Sequence, residues 1–133
     1  MSLREAVAMV PDGAIVALGG NVLHRAPMAF VRELVRQKKK HLNIVKTAGA
    51  HDIDLLCAAN CVQAVSAGFV SYESKFGLAN FYRKSVQAGK VIAHEHACYT
   101  VIAALRGASM NVPFMPVHGL QAGDLLLKND YFI

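Results

Sequence analysis

Two glycines, a histidine and an arginine follow directly on an apolar run. Ala14-Ile15-Val16-Ala17-Leu18 leads into Gly19-Gly20-Asn21-Val22-Leu23-His24-Arg25-Ala26, and Pro27 comes next. A buried strand that ends in glycine and enters a helix through a short polar loop offers free backbone amides beside a cation. Such a junction holds an anionic or carbonyl-bearing ligand. Pro27 suits the first position of a helix. Ala26 stands where a side-chain cap is expected, so the first helical amides need an acceptor from elsewhere. Ligand or water can supply it, and the pattern reads as a binding loop or as a structural turn. It is neither a phosphate loop nor a dinucleotide fingerprint, because the required glycine and Lys-Ser/Thr spacing is missing.

Other reactive groupings are weaker. His94-Glu95-His96 places two imidazoles on one face of a strand. Zinc takes three or four ligands, and no other His or Cys has an informative spacing, so no metal site is expected. Cys57 and Cys61 sit at i, i+4 and read as buried small side chains. No Gly-x-Ser-x-Gly elbow occurs. Among the glutamates, Glu5 is occupied by capping, Glu33 by a helix face, and Glu95 by the start of a later helix. Glu73, in a loop, is the one weak candidate for a catalytic carboxylate.

The surrounding elements follow from pattern. Ser2 and Glu5 form a capping box for a first helix reaching about Met9. Pro11-Asp12-Gly13 is a turn. Strands are predicted at Ala14–Leu18, Leu42–Thr47, Val62–Phe69 and Lys90–Ala93, with a short fifth at Val112–Met115. Met28, Val31, Leu34 and Val35 make the apolar stripe of the helix after Pro27. Asp52 caps the third helix, with Asp54 in its first turn. Asn60 is its left-handed stop. A loop from Ser71 to Gly77 precedes a helix over Leu78–Ala88 that Gly89 ends. Cys98, Val101, Ile102 and Leu105 mark a fifth helix. The tail from Gly119 carries mixed signals.

Alternating strands and helices imply an α/β fold: an open, mostly parallel sheet with helices on both faces, three layers in all. Ligands of such sheets sit beyond the carboxyl ends of the strands. Four loops share that rim: Gly19–Ala26, Ala48–His51, Ser71–Gly77 and Pro116–Gly123.

The chain of 133 residues suits one domain, residues 1–133. A hydrophobic fraction of 54% with 17% charged residues fits a packed core. Much of the net charge of +5 sits in Lys38-Lys39-Lys40-His41, where cations complement a helix carboxyl end. Nucleic-acid binding would prefer a spread basic face with interleaved aromatics, and attraction for small anions fits equally well. Three cysteines without disulfide spacing point to reduced thiols and a cytoplasmic chain. No signal peptide or membrane span is read from the sequence.

Four segments in order, VALGGNVLHRAPMAFVRELVRQ, DLLCAANCV, GFVSYESKFGLANFYRKSVQAGKV and NVPFMPVHG, give the chain a further character. Together they resemble the A-subunit side of family I coenzyme A transferases, of the glutaconate CoA-transferase type. The resemblance implies an α/β domain of the kind shared with ribose-phosphate isomerases. It also implies transfer of CoA between an acyl-CoA and a carboxylic acid through a glutamate carboxylate on a B-type partner subunit. CoA is then a substrate, and no permanently bound cofactor is expected. Substrate- and CoA-binding residues would be Gly19, Gly20, Asn21, His24, Arg25, Ser71, Tyr72 and His118. His118 falls near a position where relatives often carry a cation. Asn60 stands where the family usually has glycine.

A-type subunits are roughly twice this length or more. The chain is therefore expected to be a short or truncated form, in a homo- or hetero-oligomer that covers its exposed edge. GFVSYES is at least as close to relatives that hydrolyse or ring-open CoA thioesters. A non-catalytic CoA-ester-binding or assembly module, and a sugar-phosphate isomerase or sensor, stand as further alternatives. Neither nucleic acid nor membrane is expected as a partner.

Overall fold

The computed structural model describes residues 1–120 and 123–132. Its first helix, α1 (Leu3–Ala8), opens on the expected capping box: Glu5 N donates to Ser2 Oγ at 3.2 Å, and Ser2 N donates to Glu5 Oε2 at 2.6 Å. Then follow β1 (Ile15–Ala17), α2 (Met28–Arg36), β2 (Leu42–Gly49), α3 (His51–Ala58), β3 (Val62–Val70), α4 (Glu73–Phe76), α5 (Asn80–Gln87), β4 (Ile92–Glu95), α6 (Cys98–Ser109) and α7 (Leu125–Lys128).

All strand pairings are parallel and the order is β1-β2-β3-β4. Consecutive parallel neighbours with right-handed crossovers place the connecting helices on one face. The core agrees. Val7 of α1, Val31 and Leu34 of α2, Ile53 and Leu56 of α3, and Tyr82 and Val86 of α5 join Ile44 and Val65 in one cluster. The other face receives α6. Its first turn packs so closely on β3 that a Cβ at Gly68 would lie 2.5 Å from Cys98 N. Glycine at position 68 is what permits this close approach.

The longer helices α2, α3, α5 and α6 all stop the same way. For α3, Asn60 (φ +55°) donates to Cys57 O, and Cys61 N reaches back to Leu56 O. This pair of hydrogen bonds around a left-handed residue is the Schellman motif. Asn60 and Gly89 are legible as such stops in the sequence. Lys38 (φ +54°) ends α2 equally and is not, since lysine carries no signal for that conformation.

Several expectations are corrected. No strand forms at Val112–Met115 among the described residues; Pro113 within it withholds an N–H donor, and Pro116 follows directly. The fourth strand lies at Ile92–Glu95 rather than Lys90–Ala93, so Glu95 belongs to β4 and does not cap α6. Ser71–Gly77 contains the one-turn helix α4. The N-cap of α3 is Ala50, not Asp52. Gln121 and Ala122 of the fourth rim loop, and Ile133, lie outside the described residues.

Candidate functional site

Beyond β1 the backbone turns sharply. Gly20 adopts φ +82°, and a Cβ there would lie 2.5 Å from the Arg25 carbonyl oxygen and 2.7 Å from that of His24. Only glycine lets the outgoing limb pass under the returning one. Asn21 and His24 close the turn through two backbone bonds of 2.9 and 2.8 Å. Val22, at its tip, has φ +48°, an outlier for a β-branched residue. Its side chain is buried with Ala48 and Ala50, and its N–H donates to Ala48 O at 3.0 Å. Packing thus holds a strained backbone. Arg25, also left-handed at φ +57°, is exposed. Gly19 has an open flank, since a Cβ there meets nothing within 4 Å. Neither Gly19 N–H nor Gly20 N–H has an acceptor among the described residues.

The loop is held from beneath by a buried ion pair. Lys46, on β2, donates from Nζ to Gly19 O at 2.8 Å and to Asp52 Oδ2 at 2.5 Å, and both side chains are 0% exposed. Asp52 Oδ1 accepts from Ala50 N (3.0 Å) and Ile53 N (2.9 Å). The first rim loop and the start of α3 are therefore tied to a single ammonium. His51 Nδ1, in the same turn, is buried without a hydrogen-bond partner among the described residues.

The opposite wall is the Ser71–Gly77 segment. Ser71 N donates to Gly49 O at 3.0 Å, and Ser71 Oγ and Tyr72 N both donate to Gly77 O, at 3.1 and 2.8 Å. Tyr72 OH donates to Asp54 Oδ2 at 3.0 Å; Asp54 Oδ1 accepts from Tyr82 N at 2.8 Å. Burial, then the bond to Asp54, pushes the Tyr72 phenol up to about 12. Tyr72 is therefore a fixed neutral donor rather than an acid at neutral pH. Glu73, at φ +67°, reaches across to His24, with Oε1 3.5 Å from Nε2.

The structure thus brings Gly19, Gly20, Asn21, His24, Arg25, Ser71, Tyr72 and Glu73 onto one rim with Ala48–His51. His118 is exposed, and no hydrogen bond or ion pair joins it to this group among the described residues. Lys46, Asp52 and Asp54 escape sequence reading as site-forming residues. The available signal is a lysine inside the apolar strand Leu42–Gly49, with two acids following in a buried helix turn.

His94, on β4, and His96, one residue past its end, share a neighbourhood. They pack on the Tyr131 ring at centroid distances of 5.1 and 6.0 Å, and His96 also meets Phe132 at 5.5 Å. No group of three or more His, Cys, Asp or Glu side chains suited to a metal occurs among the described residues. A cavity of about 550 Å³ lies beside them, between the ends of β3 and β4 and α5, away from the glycine loop. It is lined by Phe69, Tyr82, Arg83, His94 and Leu125 among others.

An open parallel sheet with helices on both faces, whose carboxyl-end loops gather an arginine and a His–Glu pair, defines an α/β class of protein. The sequence profile described as Coenzyme A transferase matches residues 1–120, and the chain belongs to that family. It is 33% identical over 125 residues to the cholesterol ring-cleaving hydrolase IpdA subunit of Rhodococcus jostii, covering 94% of this chain and 42% of that protein. It is 29% identical over 126 residues to the A-type subunit of glutaconate CoA-transferase from Acidaminococcus fermentans, covering 94% of this chain and 39% of the relative. The crystal structure of the latter enzyme superposes with a TM-score of 0.87 at 28% identity, over 94% of this chain and 40% of that one. A variant of the decarboxylase AibA/AibB superposes with a TM-score of 0.90 at 32% identity, over 98% and 50%. The chain therefore spans half or less of the length of these relatives. No helix among the described residues is long and apolar enough to cross a membrane.

Proposed function

We propose that this chain is the thioester-holding half of a two-chain enzyme that moves CoA between an acyl-CoA and a carboxylic acid. The observation that carries the reading is the pair of amides at Gly19 and Gly20, unpartnered among the described residues, on a loop whose shape is fixed by its own return limb and by Lys46. CoA is a substrate here and not a resident cofactor.

In this reading a B-type partner supplies a glutamate carboxylate. That carboxylate attacks the thioester carbonyl carbon, the C–S bond breaks, and CoA leaves as thiolate with an acyl-glutamyl anhydride left behind. The thiolate then attacks the glutamyl carbonyl and expels the acyl group as carboxylate. The resulting glutamyl thioester passes its CoA to the acceptor acid by the reverse sequence. The chain's own residues bind and orient. The Gly19 and Gly20 amides face the carbonyl oxygen as charge develops on it, Arg25 attracts the anionic ester, and Ser71 and Tyr72 build the opposite wall.

A second reading, hydrolysis or ring opening of a CoA thioester, is favoured by one observation: Glu73 lies within 3.5 Å of His24, across the same cradle. A carboxylate and an imidazole so placed can move a proton to or from a bound water or carbon acid.

The test incubates the chain with a co-expressed B-type partner, an acyl-CoA and an acceptor acid, and follows both chains by mass spectrometry. A glutamyl-CoA adduct on the partner that survives Glu73→Gln supports transfer. Thioester hydrolysis abolished by Glu73→Gln supports the second reading. Arg25→Ala weakens acyl-CoA binding in both. Absence of adduct, hydrolysis and acyl-CoA binding removes the enzyme reading altogether.

A further inference from the structure

Lys46 is buried, it is not part of the rim, and neither reaction above uses it. Its ammonium nevertheless ends on the carbonyl oxygen of Gly19, at 2.8 Å. The Gly19 carbonyl and the Gly20 N–H belong to one peptide unit, which is trans. In a trans peptide the N–H points opposite to the C=O. With the carbonyl drawn down onto a buried ammonium, the Gly20 N–H points up and away from the interior. It finds no acceptor among the described residues.

We infer that Lys46 is a positioning residue. It aims the Gly20 N–H out of the rim and polarises that peptide, making the amide a stronger donor to a carbonyl oxygen bound there. The inference rests on the carbonyl-binding reading of the loop and deepens it. Three features support it. First, the donor is charged, and charge-assisted bonds polarise their acceptor most. Second, the pair is fixed: Asp52 takes the other side of the ammonium while its own second oxygen accepts from Ala50 N and Ile53 N. The cation cannot swing away without stranding a carboxylate. Third, the turn around the peptide is tight: Gly20 lies at φ +82°, and a Cβ there would come within 2.5 Å of the Arg25 carbonyl oxygen, which limits how far the peptide can turn. An amide held in place costs no reorganisation when charge appears on the oxygen.

A lysine that merely filled the core would need no contact with the loop. Asp52 alone would satisfy it in part, and the bond to Gly19 would be incidental. The two roles separate experimentally. K46M/D52L removes both charges together, so no lone charge is left inside. K46R keeps a cation and its donors. Both are made in the full 133-residue chain, labelled with 15N and checked for folding by amide shift dispersion. If K46M/D52L does not fold, K46Q/D52N takes its place with a neutral, hydrogen-bonded pair.

The first readout is the Gly20 amide proton. It is expected to move upfield in the neutral pair and to stay near the wild-type position in K46R. An unchanged Gly20 resonance in the neutral pair overturns the inference. The second readout compares acetyl-CoA with free CoA, which lacks the carbonyl. The neutral pair is expected to lose affinity for acetyl-CoA by roughly threefold to tenfold, the weight of one hydrogen bond, while free CoA binds as before. Equal loss for both ligands, or for neither, marks a purely structural lysine. If the wild-type chain binds neither ligand, the CoA reading falls, and the Gly20 resonance still decides the role of Lys46.

Discussion

Among the described residues histidine and glutamate come together in two places, and these differ in what supports them. At the glycine rim, His24 of the loop after β1 and Glu73 at the start of α4 are far apart in sequence and face each other at 3.5 Å, His24 exposed at 73% and Glu73 half-buried at 40%. Around them lie a buried ion pair, left-handed backbone at Val22, Arg25 and Glu73 itself, and amides with no acceptor among the described residues. At the β4 edge, His94, Glu95 and His96 are neighbours in sequence, yet the imidazoles are taken up by Tyr131 and Phe132. Glu95 contributes its backbone carbonyl, which accepts from Asn129 Nδ2 at 2.6 Å. Residue type is the same in both regions. What separates them is whether the surrounding structure leaves polar groups unsatisfied and holds strain, which is where binding sites concentrate.

The largest expected effect tests the support beneath the rim. Lys46→Met strands the Asp52 carboxylate in the core and should cost about 3–5 kcal/mol of stability, read as a lower urea midpoint at unchanged slope. A midpoint shift within error would mean that the pair is not buried in solution, and the rim would lose its distinction from the β4 edge. Next comes the glycine pair. Gly20→Ala must move the Arg25 carbonyl, which lies 2.5 Å from the new Cβ, and adopt a left-handed φ. A loss of at least about 1–2 kcal/mol follows from the conformation alone. Gly19→Ala meets open space and should be tolerated within about 0.5 kcal/mol. Equal effects of the two alanines would show that the turn does not have this shape.

Sequence reading reaches the framework and half of the rim, for physical reasons. Helical and strand periodicity is local, so the alternating order and the capping box at Ser2 and Glu5 are visible. The glycine loop is visible because glycine at a strand end has a conformational meaning of its own. Lys46 and Asp52 are not, because a charge inside an apolar strand acquires its role only from a partner brought in by the fold. The sequence assigns Asp52 to the cap of α3. In the structure its carboxylate still accepts backbone amides, but its main partner is the ammonium of β2. The Glu73–His24 meeting is hidden likewise, since a rim contact depends on which loops the sheet order makes neighbours. At β4 the pattern sets the strand two residues too early, which hands Glu95 a helix start it does not reach.

A smaller effect probes the wall opposite the glycine loop. Tyr72→Phe leaves Asp54 Oδ2 without its phenol donor while Tyr82 N still serves Oδ1, and the loss should be about 1–2 kcal/mol. The same bond has a pH signature. A phenol held at about 12 against an ordinary 10.0 binds its proton more tightly folded than unfolded. Stability is then full below about 10 and falls as pH rises toward 12. Cys57, whose thiol burial and the nearby Asp54 push up from 9.0 to about 12, adds in the same direction. Urea midpoints across this range should fall less steeply in Tyr72→Phe. Parallel curves would remove the Asp54 bond from the wall.

The smallest effect belongs to the β4 edge and sharpens the contrast from the other side. Burial, and then the charge of His94, hold the His96 imidazole below its ordinary 6.5. His96 Nδ1 meets Thr100 Oγ1 at 3.1 Å, and Thr100 donates that hydroxyl to Ala97 O at 2.8 Å. The hydroxyl proton is thus engaged, so the imidazole presents Nδ1–H to Thr100. A histidine with a depressed folded value binds protons more readily when unfolded, so its contribution to stability is present above 6.5 and is lost as pH falls below it. Proton NMR titration should place the His96 midpoint under 6.5, and His94→Ala should raise it slightly by removing the like charge. Addition of zinc should leave both histidine resonances in place, because aromatic packing on Tyr131 rather than ligation is what brings the rings together. A zinc-dependent shift of both would turn the edge into a second site and erase the difference between the two regions.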